Sequence, residues 1–526
     1  MTTLADYRDE RLRKLGELRE MGIDPYPAKS HRDTKISEIL DDFDTLEGKT
    51  VTIAGRITAI RSFGKIAFIK VKDYFGEIQI FMRREDKGGA GESSDLVGPV
   101  GGSAETVGAA PATAGGRDRY PTNGHSRQRG LDIGHIKLLD TGDFIEATGT
   151  VNKTQTGEVS VFANEVRLLT KALRPLPGRD GFTNKEERYR RRYIDMNVNE
   201  EVRERLVRRN KFWQATRQFM LDHGFIEINI PVLEHTTGGA DATPFVTHIN
   251  AYDEDMYLRI SHELPLKRLL GGGFERVFDI GPRFRNEGVD DEHLPEHIAF
   301  ESYAAYQDYE EGMDFYEKML KYVAKETWGT LQFNVGGFEI DLDKKWPRVK
   351  YADLLMEKYG VDVFNPDEEQ LKQILKDNKV ELSGDVSVAR MIDNVWKLIR
   401  KESAGPYWLI HEPTTLSPLA KVDPEHPEVT QRFHPIIAGT EMGNGFSELN
   451  DPLDQLRRFE EQQAMRDAGD DEAQMLDMDF VEMLEYGMPP ACGWGNSERN
   501  FWLLEGVSGR EAVPFPLMRK NIDKNK

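Results

Sequence analysis

Between Pro282 and Tyr303 the chain reads PRFRNEGVDDEHLPEHIAFESY, a run whose residue types suit an anion and a cation in one place. Successive side chains of an extended strand alternate faces, so Arg283, Arg285 and Glu287 share one face while Phe284 and Asn286 take the other. After a turn over 288–295, a second strand sets His297, Glu301 and Tyr303 on a common face. Paired antiparallel, the two strands bring Arg285, Glu301 and Tyr303 to one pocket. A guanidinium fork grips a phosphate or carboxylate at two points, and a glutamate with a tyrosine hydroxyl holds an ammonium group. The same residues would also form a cross-strand ladder of ion pairs on a solvated face, so the hairpin alone leaves both readings open.

A second stretch, GTEMGNGFSELND, puts Glu441 ahead of two glycines and then Asn444, Phe446 and Glu448 at alternating positions. An amide, a ring and a carboxylate on one strand face suit ligand recognition better than core packing, and Gly443 and Gly445 are expected to let the backbone approach a ligand. A third, CGWGNSERNFW, predicts a flexible turn at Gly493 and Gly495, with Arg499 opening a helix whose apolar face includes Phe501, Trp502 and Leu504. Taken alone it is a weak signal.

These stretches need a scaffold. Residues 5–22 have the spacing of a charged amphipathic helix, with Leu12, Leu15 and Leu18 on one side and Gly22 and the prolines of DPYP as the stop. KTVTIAGRITAI, KIAFIKVKD, EIQIFMRR, DFIEATGTV and EVSVFANEVRLL then alternate apolar and polar residues. That pattern predicts five short strands in a small barrel, of which the OB-fold is one type. From 87 to 130 the text turns to glycine, alanine, serine and proline with almost nothing to bury, which predicts a disordered insertion. A nucleic-acid-binding flap carrying Arg117, Arg119, Arg127 and Arg129 is the alternative. KALRPLPGRDG reads as a linker, 184–223 as helical, and the chain from Phe225 as mixed α+β.

The 526 residues carry a formal net charge of -21, which argues against indiscriminate binding of nucleic acid. The basic clusters around Arg188 to Arg192 and Arg203 to Lys211 read as solvated helix faces with acidic partners, though a local docking surface is compatible with them. No apolar run reaches the roughly 20 residues of a membrane span, and the N-terminus has charges where a signal peptide needs an apolar stretch. A cytoplasmic location is expected. Cys492 is the single cysteine, so an intramolecular disulfide and a cysteine-rich zinc site are excluded.

In this order the three stretches resemble the second motif, the ligand-binding strand and the third motif of class II aminoacyl-tRNA synthetases, the lysyl-specific branch above all, in a divergent bacterial form. GIDPYP, FIEINIPVLEHTTGGADATPFVTH, DMYLRISHELPLKRLLGGGFERVFDI, FRNEG, GNGFSELNDP and DFVEMLEYGMPPACGWG are similar to that family, and KALRPLP with RYRRRYIDM to its linker. The resemblance covers nearly the whole chain apart from the insertion.

It implies an α+β protein in three parts: an N-terminal helical extension (1–48), an OB-fold β-barrel that binds the anticodon (49–172) and a catalytic antiparallel sheet flanked by helices (173–526). It further implies a homodimer acting on L-lysine, ATP and tRNA(Lys), with Mg2+ and without a membrane. By position, Arg285 would bind the α-phosphate and the lysine carboxylate, Asn444 the carboxylate, and Glu263 with the Gly239 backbone the α-amino group. Glu448 and Tyr303, with Glu301 beside them, would hold the ε-ammonium, and Phe446 the aliphatic stem. His293 would contact the triphosphate and Arg499 the γ-phosphate, with Glu287 counted among the ATP-binding residues and Glu441 on magnesium.

His297 stands where the family usually stacks a phenylalanine on adenine. His434 stands where a second metal-binding glutamate is usual, and imidazole is a poorer partner for a hard cation. Glu498-Arg499 replaces the usual Asp-Arg in a third motif one residue short. In the barrel, Phe68 resembles the base-stacking aromatic, with Gln79 and Glu158 as readers of a uridine-rich anticodon and Arg56 a weaker candidate. The rivals are a lysine ligase that modifies a translation factor and a synthetase-like binding or regulatory protein with a decayed site. The aspartate and asparagine enzymes are disfavoured, because their substrates would leave Glu448 and Glu301 without a cation.

Overall fold

The computed structural model describes residues 4–84, 130–178, 181–291, 293–380, 386–469 and 473–520. The chain divides into two compact units, Met1–Gly181 and Phe182–Lys526. The first opens with α1 (Leu4–Glu20), which buries Leu15 and Leu18. Gly22 stops it at φ +73°, a left-handed turn that lets the Ile23 amide reach back to the Leu18 carbonyl. Two short helices, α2 (Ile36–Asp41) and α3 (Phe43–Leu46), follow.

The five expected strands form: β1 (Thr50–Phe63), β2 (Ile66–Lys72), β3 (Glu77–Arg83), β4 (Phe144–Lys153) and β5 (Val159–Thr170). They close a barrel in the order β1-β2-β3-β5-β4, with β3 and β5 parallel. Period-2 alternation turns Ile53, Ile69, Val71, Ile80, Ile145, Val161 and Leu168 inward. At Gly149 the register shifts, and a Cβ would lie 2.1 Å from the Phe162 carbonyl oxygen, so the bend requires glycine. The low-complexity stretch expected at 87–130, with its four arginines, lies outside the described residues except for Gly130.

The second unit begins with three helices, α4 (Lys185–Arg190), α5 (Arg192–Val198) and α6 (Glu200–Asp222). The helical stretch expected there is thus broken at Arg191 and Asn199. After β6 (Ile226–Glu227), three strands, β7 (Leu233–Glu234), β8 (Phe245–Ile249) and β9 (Glu254–Leu258), make a small sheet. Helix α7 (Glu263–Gly271) leads into β10 (Arg276–Phe284) and β11 (Glu296–Ala305), which pair antiparallel with Arg283 opposite His297. Helix α8 (Tyr309–Trp328) is capped by Asp308 and ended by Gly329. A hairpin of β12 (Gln332–Val335) and β13 (Phe338–Asp341) follows, then β14 (Arg348–Lys350).

Helices α9 (Tyr351–Tyr359), α10 (Glu368–Asp377) and α11 (Val388–Lys401) share a core that includes Leu355, Leu371, Val395 and Trp396. Strands β15 (Tyr407–Ile410), β16 (Arg432–Ile437), β17 (Thr440–Glu441) and β18 (Asn444–Ser447) come next, then α12 (Pro452–Asp467) and α13 (Met478–Tyr486). The described chain ends with β19 (Ala491–Ser497), α14 (Arg499–Glu505) and α15 (Gly509–Ala512). The large sheet runs β14-β15-β16-β18-β19-β11-β10-β6, with β17 on β16.

Alternation divides this sheet by face. On β11, Phe300 and Ala304 join the core under α8 with Met313, Tyr316 and Trp494. Tyr303 points the other way, into the core shared with Leu264 and Leu266 of α7 and Phe480 of α13. The functional side chains stand on this second face. Among the described residues no helix is long and apolar enough to cross a membrane.

Candidate active site

A cavity of about 410 Å³ opens on that face. Its lining includes Glu263, Glu301, Tyr303 and Phe446, then Arg283, Arg285, His293, His297 and Arg499, and also Asn444, His434 and Glu441; Arg283 lies 3.7 Å from Glu301. The hairpin therefore builds a pocket and not a solvated ladder.

Glu301 is the most tightly held carboxylate. Its Oε1 accepts from the Ser261 hydroxyl (2.9 Å) and the His262 amide (3.2 Å), and its Oε2 accepts from the Tyr303 hydroxyl (3.1 Å). Burial opposes its charge, but the His262 ring and backbone and the Arg283 guanidinium outweigh that and hold the carboxyl down at about 2. A permanent negative charge with its lone pairs aimed by neighbours suits a cationic guest.

Gly239 lines the cavity at φ +81°, where a Cβ would lie 2.6 Å from the Glu263 Cβ. Its amide donates to Gln474 Oε1 (3.3 Å). Glu448 does not line the cavity. It lies just past β18, buried, with Oε1 lacking any hydrogen-bond partner and Oε2 in ion-pair contact with Lys267. Gly493 makes room for it: a Cβ there would sit 2.2 Å from Tyr303 Cε1 and 2.3 Å from Glu448 Oε1.

Arg285 is half-buried, and its buried Nε has no hydrogen-bond partner, an orphaned donor suited to an incoming anion. Burial lowers its affinity for the proton, with Glu287 and Glu301 opposing. His297 accepts from Arg283 Nε (2.8 Å) and turns Nδ1 toward the Leu294 carbonyl (3.2 Å). Burial and the charges of Arg283 and Arg285 push this imidazole well below its ordinary range. It is a neutral ring held at its edge by hydrogen bonds, as a stacking surface needs. His293 is exposed at the turn, its Nδ1 paired with Asp290 (2.9 Å), and Glu287 stands at the rim.

Arg499 opens α14, and the preceding Glu498 fixes that start. Buried Glu498 accepts from the Ile298 amide (2.9 Å) and Arg209 Nε (2.8 Å), and its own amide donates to the Ile298 carbonyl (3.0 Å). Arg208 likewise pairs with Glu505. These arginines of α6, expected on a solvated helix face, tie α6 to both ends of α14, a contact across some 290 positions that local spacing does not signal.

Asn444 Oδ1 accepts from Arg432 Nε (2.9 Å), which leaves the amide nitrogen to donate to a ligand. Glu441 and His434 stand side by side, Oε2 3.9 Å from Nδ1. Glu441 Oε1 is engaged by Arg400 (2.8 Å) and the Trp396 indole (2.8 Å). His434 places Nε2 3.0 Å from Glu412 and Nδ1 3.1 Å from the Gly443 carbonyl, so both ring nitrogens face oxygen and neither lone pair is open to a cation.

The glycines also depart from expectation. Gly493 and Gly495 lie within β19 and not in a turn. Gly445 admits its own core instead of a ligand, since a Cβ would meet Phe433 at 2.3 Å.

On the barrel, Phe68, Phe81 and Phe162 stand half-buried on the matching face of β2, β3 and β5, with centroids 5.3 and 4.9 Å apart. Gln79 Nε2 donates to the Ser160 hydroxyl (3.0 Å), and exposed Glu158 is 3.4 Å from Lys70. Phe81 and Phe162 were legible in the alternation of EIQIFMRR and EVSVFANE. Arg56 instead stacks on Phe144 (4.3 Å) and donates to the Gly142 carbonyl (3.1 Å), which makes it part of the barrel's own structure.

Residues 184–519 match the family model of class II tRNA synthetases (D, K and N), and residues 51–95 match that of OB-fold nucleic acid binding domains. The chain is 41% identical to the lysine-tRNA ligase of Thermotoga maritima over 98% of its own length and 96% of that relative. It is 39% identical to the lysine-tRNA ligase of Bacillus subtilis, with 98% of each covered. With Carboxydothermus hydrogenoformans the figures are 40% identity and 97% of each chain, again for a lysine-tRNA ligase. The chain belongs to the class II tRNA synthetases, in the lysine-tRNA ligase family.

Proposed function

We propose that the protein is an ATP-dependent lysine-tRNA ligase, which joins lysine to ATP as lysyl-adenylate and passes the lysyl group to the 3′ end of tRNA(Lys). The observation that carries this reading is the polarity of one cavity. Glu263 and Glu301 line it together with Arg283, Arg285 and Arg499 and the Asn444 amide, Arg283 lying 3.7 Å from Glu301 where acid and base meet. A molecule with a cationic side chain and a carboxylate spans it, and its carboxylate meets the phosphate-binding arginines.

In this reading Glu263 and the Gly239 backbone take the α-amino group. Tyr303 and Glu301 line the ε-ammonium site, Glu448, buried behind that wall with Oε1 unpartnered, completes it, and Phe446 lies along the stem. Asn444 and Arg285 hold the carboxylate. His297 stacks on adenine, while His293, Glu287 and Arg499 order the phosphates.

Arg285 then bridges both reactants. As a carboxylate oxygen attacks the α-phosphorus and the bond to pyrophosphate breaks, its guanidinium offsets the charge that builds on the phosphate oxygens. Orientation and preorganised charge supply the catalysis, with no covalent enzyme intermediate. In the second step a ribose hydroxyl of the terminal adenosine attacks the lysyl carbonyl carbon, and AMP leaves.

The family's reaction uses magnesium with ATP, but Glu441 and His434 do not fit a cation held by the protein. One is committed to Arg400 and the other has no open lone pair, so no step is assigned to a metal there. Phe68 stacks an anticodon base, with Gln79 and Glu158 reading polar edges. Residues 49–172 carry this binding and 173–526 the chemistry.

The chain is further read as a cytoplasmic homodimer. Exposed Ile226 on the edge strand β6, with Leu221, Leu233 and Val246 also exposed, supports self-association, which sedimentation velocity would test.

The function is tested by amino-acid-dependent pyrophosphate exchange into ATP with each of the twenty amino acids, with Glu448→Gln alongside. Exchange with lysine alone, lost in the variant, is expected. Silence with every amino acid would shift the reading to a binding protein.

A further inference from the structure

Lys267 takes no part in the roles above, yet it stands between two of them. Glu263 and Lys267 are one helical turn apart on α7, so both side chains point from the same face toward the sheet. The Lys267 Nζ lies 2.5 Å from Glu263 Oε1 and also forms the ion pair with Glu448 Oε2. All three side chains are buried, at 0%, 6% and 0% exposure for Lys267, Glu263 and Glu448. The same ammonium sits 5.0 Å from the centre of the Phe446 ring and 6.0 Å from that of Tyr303. It lies behind two residues of the cavity wall.

One ammonium thus serves two carboxylates, and these are the groups assigned to the two ends of the substrate, Glu263 to its α-amino group and Glu448 to its ε-ammonium. We propose that Lys267 is a positioning residue shared between the two receptors, and that the empty Glu263–Lys267–Glu448 triad holds one proton, which lysine displaces as it binds. The proposal rests on the assignment of these two carboxylates under the proposed function.

Charge balance supports it. Two carboxylates and one ammonium leave one negative charge over, and an uncompensated charge in a dry interior is strongly unfavourable. The surroundings do not supply the missing cation. Tyr303 and Glu301 face the triad from β11, and Glu301 spends its lone pairs on Ser261, His262 and Tyr303. Cys492 lies on the opposite face of β19, in the core under α8, and Arg432 of β16 acts on Glu263 from a distance.

Among the described residues Lys267 is the cation paired with Glu448. Burial pushes the Glu448 carboxyl well above its ordinary range, with Lys267 opposing and Glu263 adding to the rise. Burial raises Glu263 in the same way. The retained proton belongs to the pair and not to one oxygen.

When lysine enters, its two ammonium groups supply the charge the triad lacks. The carboxyl gives its proton to solvent and becomes the carboxylate that pairs with the guest, so one proton leaves for each lysine bound. Release means that affinity rises with pH. Lysine binding should strengthen by up to about tenfold per pH unit while the empty site still holds the proton, and level off once it no longer does.

The test is calorimetric titration of the full chain with L-lysine near neutral pH, in phosphate and in Tris, whose ionisation heats differ. Release of about one proton per lysine is expected from the linkage. In Lys267→Met both carboxyls should be protonated when empty, so the count should rise toward about two and affinity at neutral pH should fall at least about tenfold. Lys267→Arg should restore the wild-type count.

Lysine binding to the wild-type protein without proton exchange would overturn the proposal and leave the ammonium-receptor reading intact. No binding of lysine at all would overturn both. An unchanged count in Lys267→Met would reduce Lys267 to a structural role. If that variant does not fold, the wild-type count still decides.

Discussion

At the cavity the acidic groups are held in advance: Glu301 by Ser261, His262 and Tyr303, and Glu498, behind Arg499, by Arg209 and the Ile298 backbone. On the barrel face, exposed Glu158 has one loose ion pair, to Lys70 at 3.4 Å, and the recognition surface is a row of three half-buried phenylalanines. The difference follows from the chemistry each region would meet. Charges desolvated for a small guest must be aimed beforehand, because a misplaced charge in low dielectric is costly. A stacked base asks only for an apolar face, and a wet rim tolerates adjustment. Damage in the cavity should therefore be nearly all-or-none, and damage on the barrel graded.

The sharpest way to break this contrast is Arg285→Ala. Loss of this guanidinium should lower lysine-dependent pyrophosphate exchange by about a thousandfold or more, mainly in kcat, as for removal of a preorganised donor to a developing charge. A loss below tenfold would mean that the cavity is as forgiving as the barrel.

Glu498→Gln probes the support of the site and not the site itself. It keeps the contact to the Ile298 amide but removes the charge that holds Arg209, so the start of α14 loses its tie to α6, while Arg208 still holds Glu505 further along, and Arg499 loses its fixed start. The expected loss is about ten- to a hundredfold in exchange with KM for ATP raised, since a displaced charge-positioning group costs of that order. Unchanged KM would show that Arg499 is positioned from elsewhere.

On the barrel, Phe68→Ala should raise KM for tRNA by roughly tenfold, from a stacking contribution of about 1–3 kcal/mol per base, and leave pyrophosphate exchange untouched. Adding Phe81→Ala should deepen the effect in steps. An all-or-none response to the first substitution would erase the distinction drawn here.

The gentlest test concerns the flank of the cavity. Without nucleotide the protein should hold no Mn2+ at Glu441 and His434, as read by the paramagnetic resonance of free manganese. His434→Glu should gain weak binding in the millimolar to submillimolar range, since a second carboxylate supplies the hard oxygen ligand a divalent cation prefers. Binding by the unaltered protein would restore the metal pair.

Much of the molecule was legible in its sequence, and unevenly so. The barrel strands could be read because an inward Ile69 or Val71 must alternate with outward neighbours, a period-2 rule carried within a few residues. The hairpin of Arg283, Arg285, Glu301 and Tyr303 could be read for the same reason, and its turn is short enough to fix the pairing. The glycines misled: GWG looks like a turn although Gly493 and Gly495 are strand residues of β19 with Tyr303 and Glu301 side chains in their Cβ positions, and Gly445, read as room for a ligand, leaves room for Phe433.

Sequence by itself determined the family, the strands and the residue types that face a ligand, since local periodicity and motif spacing are properties of contiguous chain. Tertiary structure alone decided which charges are spent and which remain open. Lys267 sits between Glu263 and Glu448, Arg209 holds Glu498, and Arg400 takes Glu441 from any metal. Each of these pairs, the Glu263–Lys267 turn apart, joins residues far apart in the chain. A buried charge is set by whatever the fold brings within a few ångströms of it, and no local pattern encodes that.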